Sequence, residues 1–426
     1  MIWVRTTAVL AGAGLLATGA QAQPAQQVTG PVATYWMSAQ TLTGFGAMGA
    51  GGGRPSMGAM MGAMMGGGSN VSKSLTLQLG TSRTASGAPA AEHLPPSALR
   101  AGESLPLLSP KAPGPVRETP YAMPEGYKPK GRMLIYWGCG EHAGPGQPVV
   151  IDFAKVAAGQ VPAGLQSLAA TFGSPMQPPA PGRSTTYGEW PNEKTRTTVP
   201  GNGSLVGDHL IRGNYTPDIK FALAAEQDFL GPLNLTRNLV NPSGSGQLAW
   251  NALGNARGYL AVAMGASADE TVVLWSSSQV QASAFALPDY LSNGDIQRLV
   301  ASKALMAPTT TSCTIPVEVV KAAPQAMVQL AAYGGETNIS YPPRPADPKT
   351  AWNIDWTLKV RYKSQTGGML GMQTPGAMGM ADDDADGGDQ RGDPQGQGGQ
   401  KSKSPFGAPG VGGTILKGLG GRLPGL

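Results

Sequence analysis

Residues 352–363, WNIDWTLKVRYK, set Trp352, Ile354, Trp356, Leu358, Val360 and Tyr362 at alternate positions, with Asn353, Asp355, Thr357, Lys359, Arg361 and Lys363 between them. A period of two sends these sets to opposite faces of an extended chain. The segment therefore predicts a strand with one face on a core and the other, carrying the lysines and the arginine, in water. Each large apolar side chain is worth roughly 1.5–3 kcal/mol when fully buried, so another layer must receive the apolar face. The nearest preceding strand-like segment is AMVQLAAYGG, 326–335. Antiparallel pairing of the two is expected, because the intervening YPPRPADPK is too rich in proline to join a sheet interior.

Similar signals recur between Gly, Pro, Asn and Ser punctuation. Residues 32–44 (VATYWMSAQTLTG) and 73–80 (KSLTLQLG) read as strands, as do RMLIYWGCG, PVVIDFAKV, DIKFALAA, QLAWNA, GYLAVAMG, ETVVLWSSS and IPVEVVKA. One helix is expected at 293–306, with Asn293 as its cap and Ile296, Leu299 and Val300 on one face, and a short one fits 162–172. The chain's 62 glycines and 38 prolines are unevenly placed. They concentrate in a Met/Gly-rich insertion at 45–70, in Pro-rich stretches at 82–130 and 174–200, and in the tail, where ordering costs more entropy than the side chains return. The expected organisation is a signal peptide at 1–22, strand-forming segments with the insertion and a linker at 23–130, a β-rich core at 131–365 and a disordered tail at 366–426. The expected fold class is mainly β, an antiparallel β-sandwich-like core with one short helix and long disordered segments.

The piece LAWNALGNARGYLAVAMG, with Trp250 followed by Tyr259, resembles the tryptophan-strand region of fibronectin type III modules. That resemblance, over a short stretch, implies an immunoglobulin-like or fibronectin-like sandwich and no particular ligand.

The N-terminus, MIWVRTTAVLAGAGLLATGAQAQ, has a positive charge at Arg5, an apolar stretch from Thr7 to Thr18 and a small-residue pattern, Ala20-Gln21-Ala22, before Gln23. It reads as a cleaved export signal, shorter than the ~20 residues a membrane span needs. No later segment is long and apolar enough to span, so the mature chain is expected in the periplasm or outside the cell. A net charge of +5 with no basic stripe gives no argument for nucleic acid.

Cys139 and Cys313 are the only cysteines, and in an exported chain the simplest reading is one disulfide. Cys139-Gly-Glu-His142 leaves open a C-x-x-H pair of metal ligands. His93 falls in the Pro-rich linker and His209 in GDHLIRG, read as a turn. H-E-x-x-H, G-x-S-x-G and Walker patterns do not occur, which removes the commonest hydrolase and nucleotidase readings. Met57, Met60, Met61, Met64 and Met65 form a thioether cluster whose softness suits Cu(I). Asp382, Asp384, Asp386 and Asp393 match the spacing of a calcium loop within an otherwise solvated acidic block. No cofactor is required by these patterns, although copper or calcium would fit them. The expected function is a non-enzymatic envelope or secreted protein that binds another envelope macromolecule or serves structurally. The alternatives are Cu(I) sequestration and a hydrolase without a recognisable motif.

Overall fold

A computed structural model describes residues 26–48, 71–110, 131–157, 160, 176–195, 197–267, 269–281 and 287–372. In chain order the first strands are β1 (Val28–Thr29), β2 (Ala33–Leu42), β3 (Ser72–Thr81), β4 (Ala91–Leu94) and β5 (Leu105–Leu107), with a helical turn, α1 (Phe45–Met48), after β2. Next come β6 (Arg132–Trp137), β7 (Val149–Asp152), α2 (Phe153–Ala157), β8 (Thr186–Trp190), β9 (Gly207–Gly213) and β10 (Ile219–Leu223). The remainder is β11 (Leu235–Val240), β12 (Gly246–Trp250), β13 (Gly258–Ala266), β14 (Thr271–Ser276), α3 (Asn293–Ala301), β15 (Ser312–Ile315), α4 (Val317–Ala322), β16 (Met327–Tyr341), β17 (Trp352–Asn353) and β18 (Trp356–Met369).

Three expectations are corrected by this architecture. The segment 82–130, read as linker, contains β4 and β5, and GDHLIRG, read as a turn, is β9. Both were hidden by neighbouring Gly and Pro, because tertiary pairing overrides weak local preference. IPVEVVKA, read as a strand from its valines, ends β15 and then turns into α4, whose Val317, Val319 and Val320 are buried. A run this short cannot be assigned by periodicity alone.

Nine strands form one sheet in the order β7-β6-β14-β13-β16-β18-β2-β3-β8. Six of its eight pairings are antiparallel; β14 with β6 and β18 with β2 are parallel. The expectation of a wholly antiparallel sheet is corrected at those two places. A parallel pair needs a long crossover, and both joined strands are far apart in the chain. One face of the sheet packs into a single large apolar core together with β4, β5, β9 and β10 of a four-stranded sheet and β12 and β15 of a three-stranded sheet. Tyr35, Met37, Leu77, Leu79, Leu330, Leu358 and Val360 supply that face, all at most 1% exposed. On the other face, a smaller cluster sets Ile296 and Leu299 of α3 against Leu260, Val262, Ala331 and Tyr333. Trp250 and Tyr259 lie on different sheets, with ring centroids 5.7 Å apart.

The pairing expected of β16 and β18 is present, antiparallel from Tyr341↔Trp356 to Met327↔Met369. Its register slips at Tyr333/Gly335, where Gly335 has φ +80°, a conformation in which a side chain is strained. Asn293 holds this bulge: its Oδ1 accepts from the Glu336 N–H at 3.0 Å and from Arg257 at 2.9 Å, and its Nδ2 donates to the Glu336 carbonyl at 3.0 Å. Asn293 is therefore not the cap that its position suggested. Ser292 caps α3, its Oγ accepting from the Asp295 N–H at 3.0 Å, and the helix ends at Ala301.

Candidate functional site

The apolar face of β18 lies as its alternation predicted, but the opposite face is not in water. Arg361 and Lys363 are buried, with side chains only 5% and 8% exposed. Pairing with β2 explains this: Lys359, Arg361 and Lys363 stand beside Trp36, Ser38 and Gln40, so two polar rows with matching period meet across a parallel ladder. The Arg361 guanidinium donates from Nε and Nη2 to Ser38 Oγ at 3.0 and 2.6 Å. Its planar carbon lies 5.0 Å from the Trp36 ring centre and 4.4 Å from that of Tyr290. The Lys359 ammonium is 5.4 Å from the Trp36 ring, and that of Lys363 is 5.1 Å from Tyr290. Two aromatic faces thus replace much of the water these cations gave up.

The segment carrying Asp289 and Tyr290 is fixed over this row by the Tyr333 hydroxyl, which donates to the Pro288 carbonyl at 3.0 Å. Lys359 has a close carboxylate partner in Glu336, brought to this face by the bulge. Arg361 and Lys363 share a more distant one: Asp289 Oδ2 is 3.9 Å from Arg361 Nη1 and Oδ1 is 3.8 Å from Lys363 Nζ, while the Asp289 side chain is 67% exposed. Burial lowers both the Arg361 and the Lys363 pKa, with Asp289 opposing the shift in each. Burial also pushes the Tyr290 phenol up.

Beside Trp36 the same face opens into a cleft of about 440 Å³. Thr34, Trp36 and Gly80 form its floor, and Pro178, Pro179 and Arg183 form part of its wall. The wall is braced from within, since Arg183 donates from Nη1 to Gln177 Oε1 at 2.5 Å and from Nη2 to the Pro178 carbonyl at 2.6 Å. Gly80 is required there: a Cβ would come within 2.9 Å of Pro179 and also meet the Ser184 hydroxyl.

A second polar constellation lies inside the main core. Tyr35 Oη and His93 Nδ1 are 2.9 Å apart, His93 Nε2 and His209 Nδ1 are 2.9 Å apart, and His209 Nε2 is 2.7 Å from the Leu205 carbonyl. A carbonyl only accepts, so His209 carries its proton on Nε2; His93 must then donate from Nε2, and Tyr35 donates to His93 Nδ1. The three donors point one way along a neutral relay that joins β2 to β4 and β9. Burial lowers the His93 pKa well below its ordinary value, with His209 adding to the effect, and burial also lowers that of His209. His209 stacks on Phe221 at 4.8 Å. His93, placed by sequence in a linker, is fully buried.

Cys139 and Cys313 form a disulfide, with Cα atoms 5.3 Å apart and a sequence separation of 174. It links the chain just after β6, in the large sheet, to β15 of the three-stranded sheet. This corrects the C-x-x-H alternative: Cys139 is not a free thiolate, and His142 Nδ1 instead lies 3.1 Å from Glu318 Oε1. Met57, Met60, Met61, Met64 and Met65, the aspartates Asp382, Asp384, Asp386 and Asp393, and the helix expected at 162–172 lie outside the described residues. Among the described residues no group of three or more His, Cys, Asp or Glu side chains is placed to hold a metal ion. No helix among them is long and apolar enough to cross a membrane.

Sequence reasoning singled out neither Trp36 and Tyr290 nor the His relay. A usable signal did exist for the first: the K-x-R-x-K of β18 and the W-x-S-x-Q of β2 share a period, which marks both polar faces as able to lie together. No family model, no curated protein and no solved structure matches this chain.

Proposed function

We propose that this chain is an exported, non-enzymatic protein of the periplasm or extracellular space that binds another envelope macromolecule through the polar face of its large sheet. The observation that carries this reading is the braced cleft over Thr34 and Trp36, continuous through Trp36 with a row of three cations. An aromatic floor, hydroxyl-bearing walls and adjacent positive charge are what a polar or acidic macromolecule needs for contact. The disulfide fits an oxidising compartment, as does the signal-like N-terminus. The large sheet facing two smaller ones across one core supports a sandwich-like scaffold.

The test is crosslinking and affinity capture from the native envelope with wild-type protein and with Thr34→Arg, which fills the cleft from a half-buried position. A partner captured by the wild type and lost with the variant, together with an intact mass that begins at Gln23, is the expected result. Recovery of uncleaved chain from the cytoplasm, or a partner captured equally by both proteins, would refute the reading.

A further inference from the structure

The geometry points to a phosphoryl-binding site formed by Arg361 and Lys363, with Asp289 standing where the ligand's oxygens would lie. Lys359 is satisfied by Glu336, which adds only a longer-range attraction on Arg361, so among the described residues Arg361 and Lys363 have one carboxylate within 4 Å, Asp289, between them. That carboxylate is a poor partner. Its oxygens stop 3.8 and 3.9 Å from the two cationic nitrogens, beyond direct hydrogen bonding, although the cations are more than nine-tenths buried. Arg361 spends Nε and one Nη2 hydrogen on Ser38, so its Nη1 edge remains directed at the gap, and Lys363 faces the same gap.

Each oxygen of Asp289 addresses one cation, so an incoming oxyanion can bridge the same pair. The Asp289 side chain is mostly exposed and attached to a loop, which lets it swing outward. Two positive charges then remain. A phosphoryl group, with a charge near −1.5 to −2 at pH 7 and three acceptor oxygens, matches both their number and their spread. A lone carboxylate would only repeat what Asp289 already offers. A guanidinium held against Trp36 and Tyr290 and by Ser38 has its fork preorganised, the condition for paired bonds to an oxyanion.

This inference rests on the binding role proposed above and names the chemistry at the cationic end of that face. It is tested by calorimetric titration of the purified, oxidised protein at pH 7.5 and low salt with inorganic phosphate, with glucose 1-phosphate and with vesicles containing an anionic phospholipid. The expected result is saturable binding of at least one probe, weakened about tenfold or more by Lys363→Gln and strengthened about tenfold by Asp289→Asn, which removes the tethered competitor. Because the two variants move affinity in opposite directions, a folding defect in either cannot imitate the pattern. Equal affinity for phosphate and the sugar phosphate assigns recognition to the phosphoryl group alone, tighter sugar phosphate assigns a phosphorylated saccharide, and binding confined to vesicles assigns a lipid headgroup. No saturable binding to any probe, or binding unchanged in both variants, overturns the proposal. A captured partner without phosphoryl binding would sink this inference alone, and phosphoryl binding without a captured partner would sink only the macromolecular role.

Discussion

Acidification from pH 7 to pH 5.5 sets the two buried histidines against their surroundings. A proton added to His209 Nδ1 would point at the Nε2 hydrogen of His93, donor against donor. One added to His93 Nδ1 would turn Tyr35 from donor into acceptor and so reverse the first link of the relay. Both imidazoles have folded pKa values depressed by burial, whereas an unfolded histidine titrates near about 6.5. The sign follows: below about pH 6.5 the unfolded chain binds protons that the folded chain refuses, so stability is full above that pH and falls as pH drops towards the folded values. An imidazole that stays neutral when folded costs about 1.3 kcal/mol between pH 7 and pH 5.5; His93, held well below its ordinary value, contributes that much, and His209, lowered less, brings the total to at most about 2.5 kcal/mol. The carboxylates whose folded pKa values are lowered, Glu92, Asp269, Asp295 and Glu318, lose their contributions at lower pH, which leaves this window to the relay. Urea unfolding of the oxidised protein at the two pH values reads the difference directly. His93→Gln, which keeps a donor and an acceptor in a group that does not titrate, should reduce it by about 1.3 kcal/mol. Stability unchanged within ~0.5 kcal/mol in the wild type, or a full loss retained in His93→Gln, would show that the relay does not control acid lability.

Trp356 is 4% exposed and stacks on Tyr341 at 5.4 Å, so Trp356→Asp should cost at least ~4 kcal/mol or prevent folding, as measured by urea titration. Thr357→Asp, next to it on the polar face, should shift stability by less than ~1 kcal/mol. Intact mass under non-reducing conditions should be two hydrogens below that of the reduced chain. Replacing both Cys139 and Cys313 by Ala should lower stability by up to about 5 kcal/mol, the chain-entropy value for a 174-residue loop. Ser292→Ala removes the cap of α3 and should cost about 1 kcal/mol in the same assay, whereas Asn293→Ala should cost more, because it releases the β16 bulge as well.

Much of the strand pattern is legible in the amino-acid sequence alone. The alternations in 32–44 and 73–80 became β2 and β3; the single strand expected over 352–363 is split, with Trp352–Asn353 forming β17 beside β1 and β18 starting at Trp356, and the hairpin of β16 with β18 followed from chain proximity and a proline-rich turn. These features are local: a period of two is written into a few consecutive side chains, and a disulfide between two cysteines has only one possible pairing. What a side chain meets across a sheet is not written locally. The parallel pairing of β18 with β2 joins Trp356 to Ala33, more than three hundred residues away in the chain, and together with the Tyr290 segment laid over it turned Arg361 and Lys363 from a solvated row into a buried cationic site. The same holds for the relay, whose members come from β2, β4 and β9 and were read as strand, linker and turn. Sequence determines which residues are able to alternate, cap or cross-link, because those preferences act within a few residues. Tertiary structure decides which polar groups lose water, because burial depends on the partner strand and on the loop laid over it.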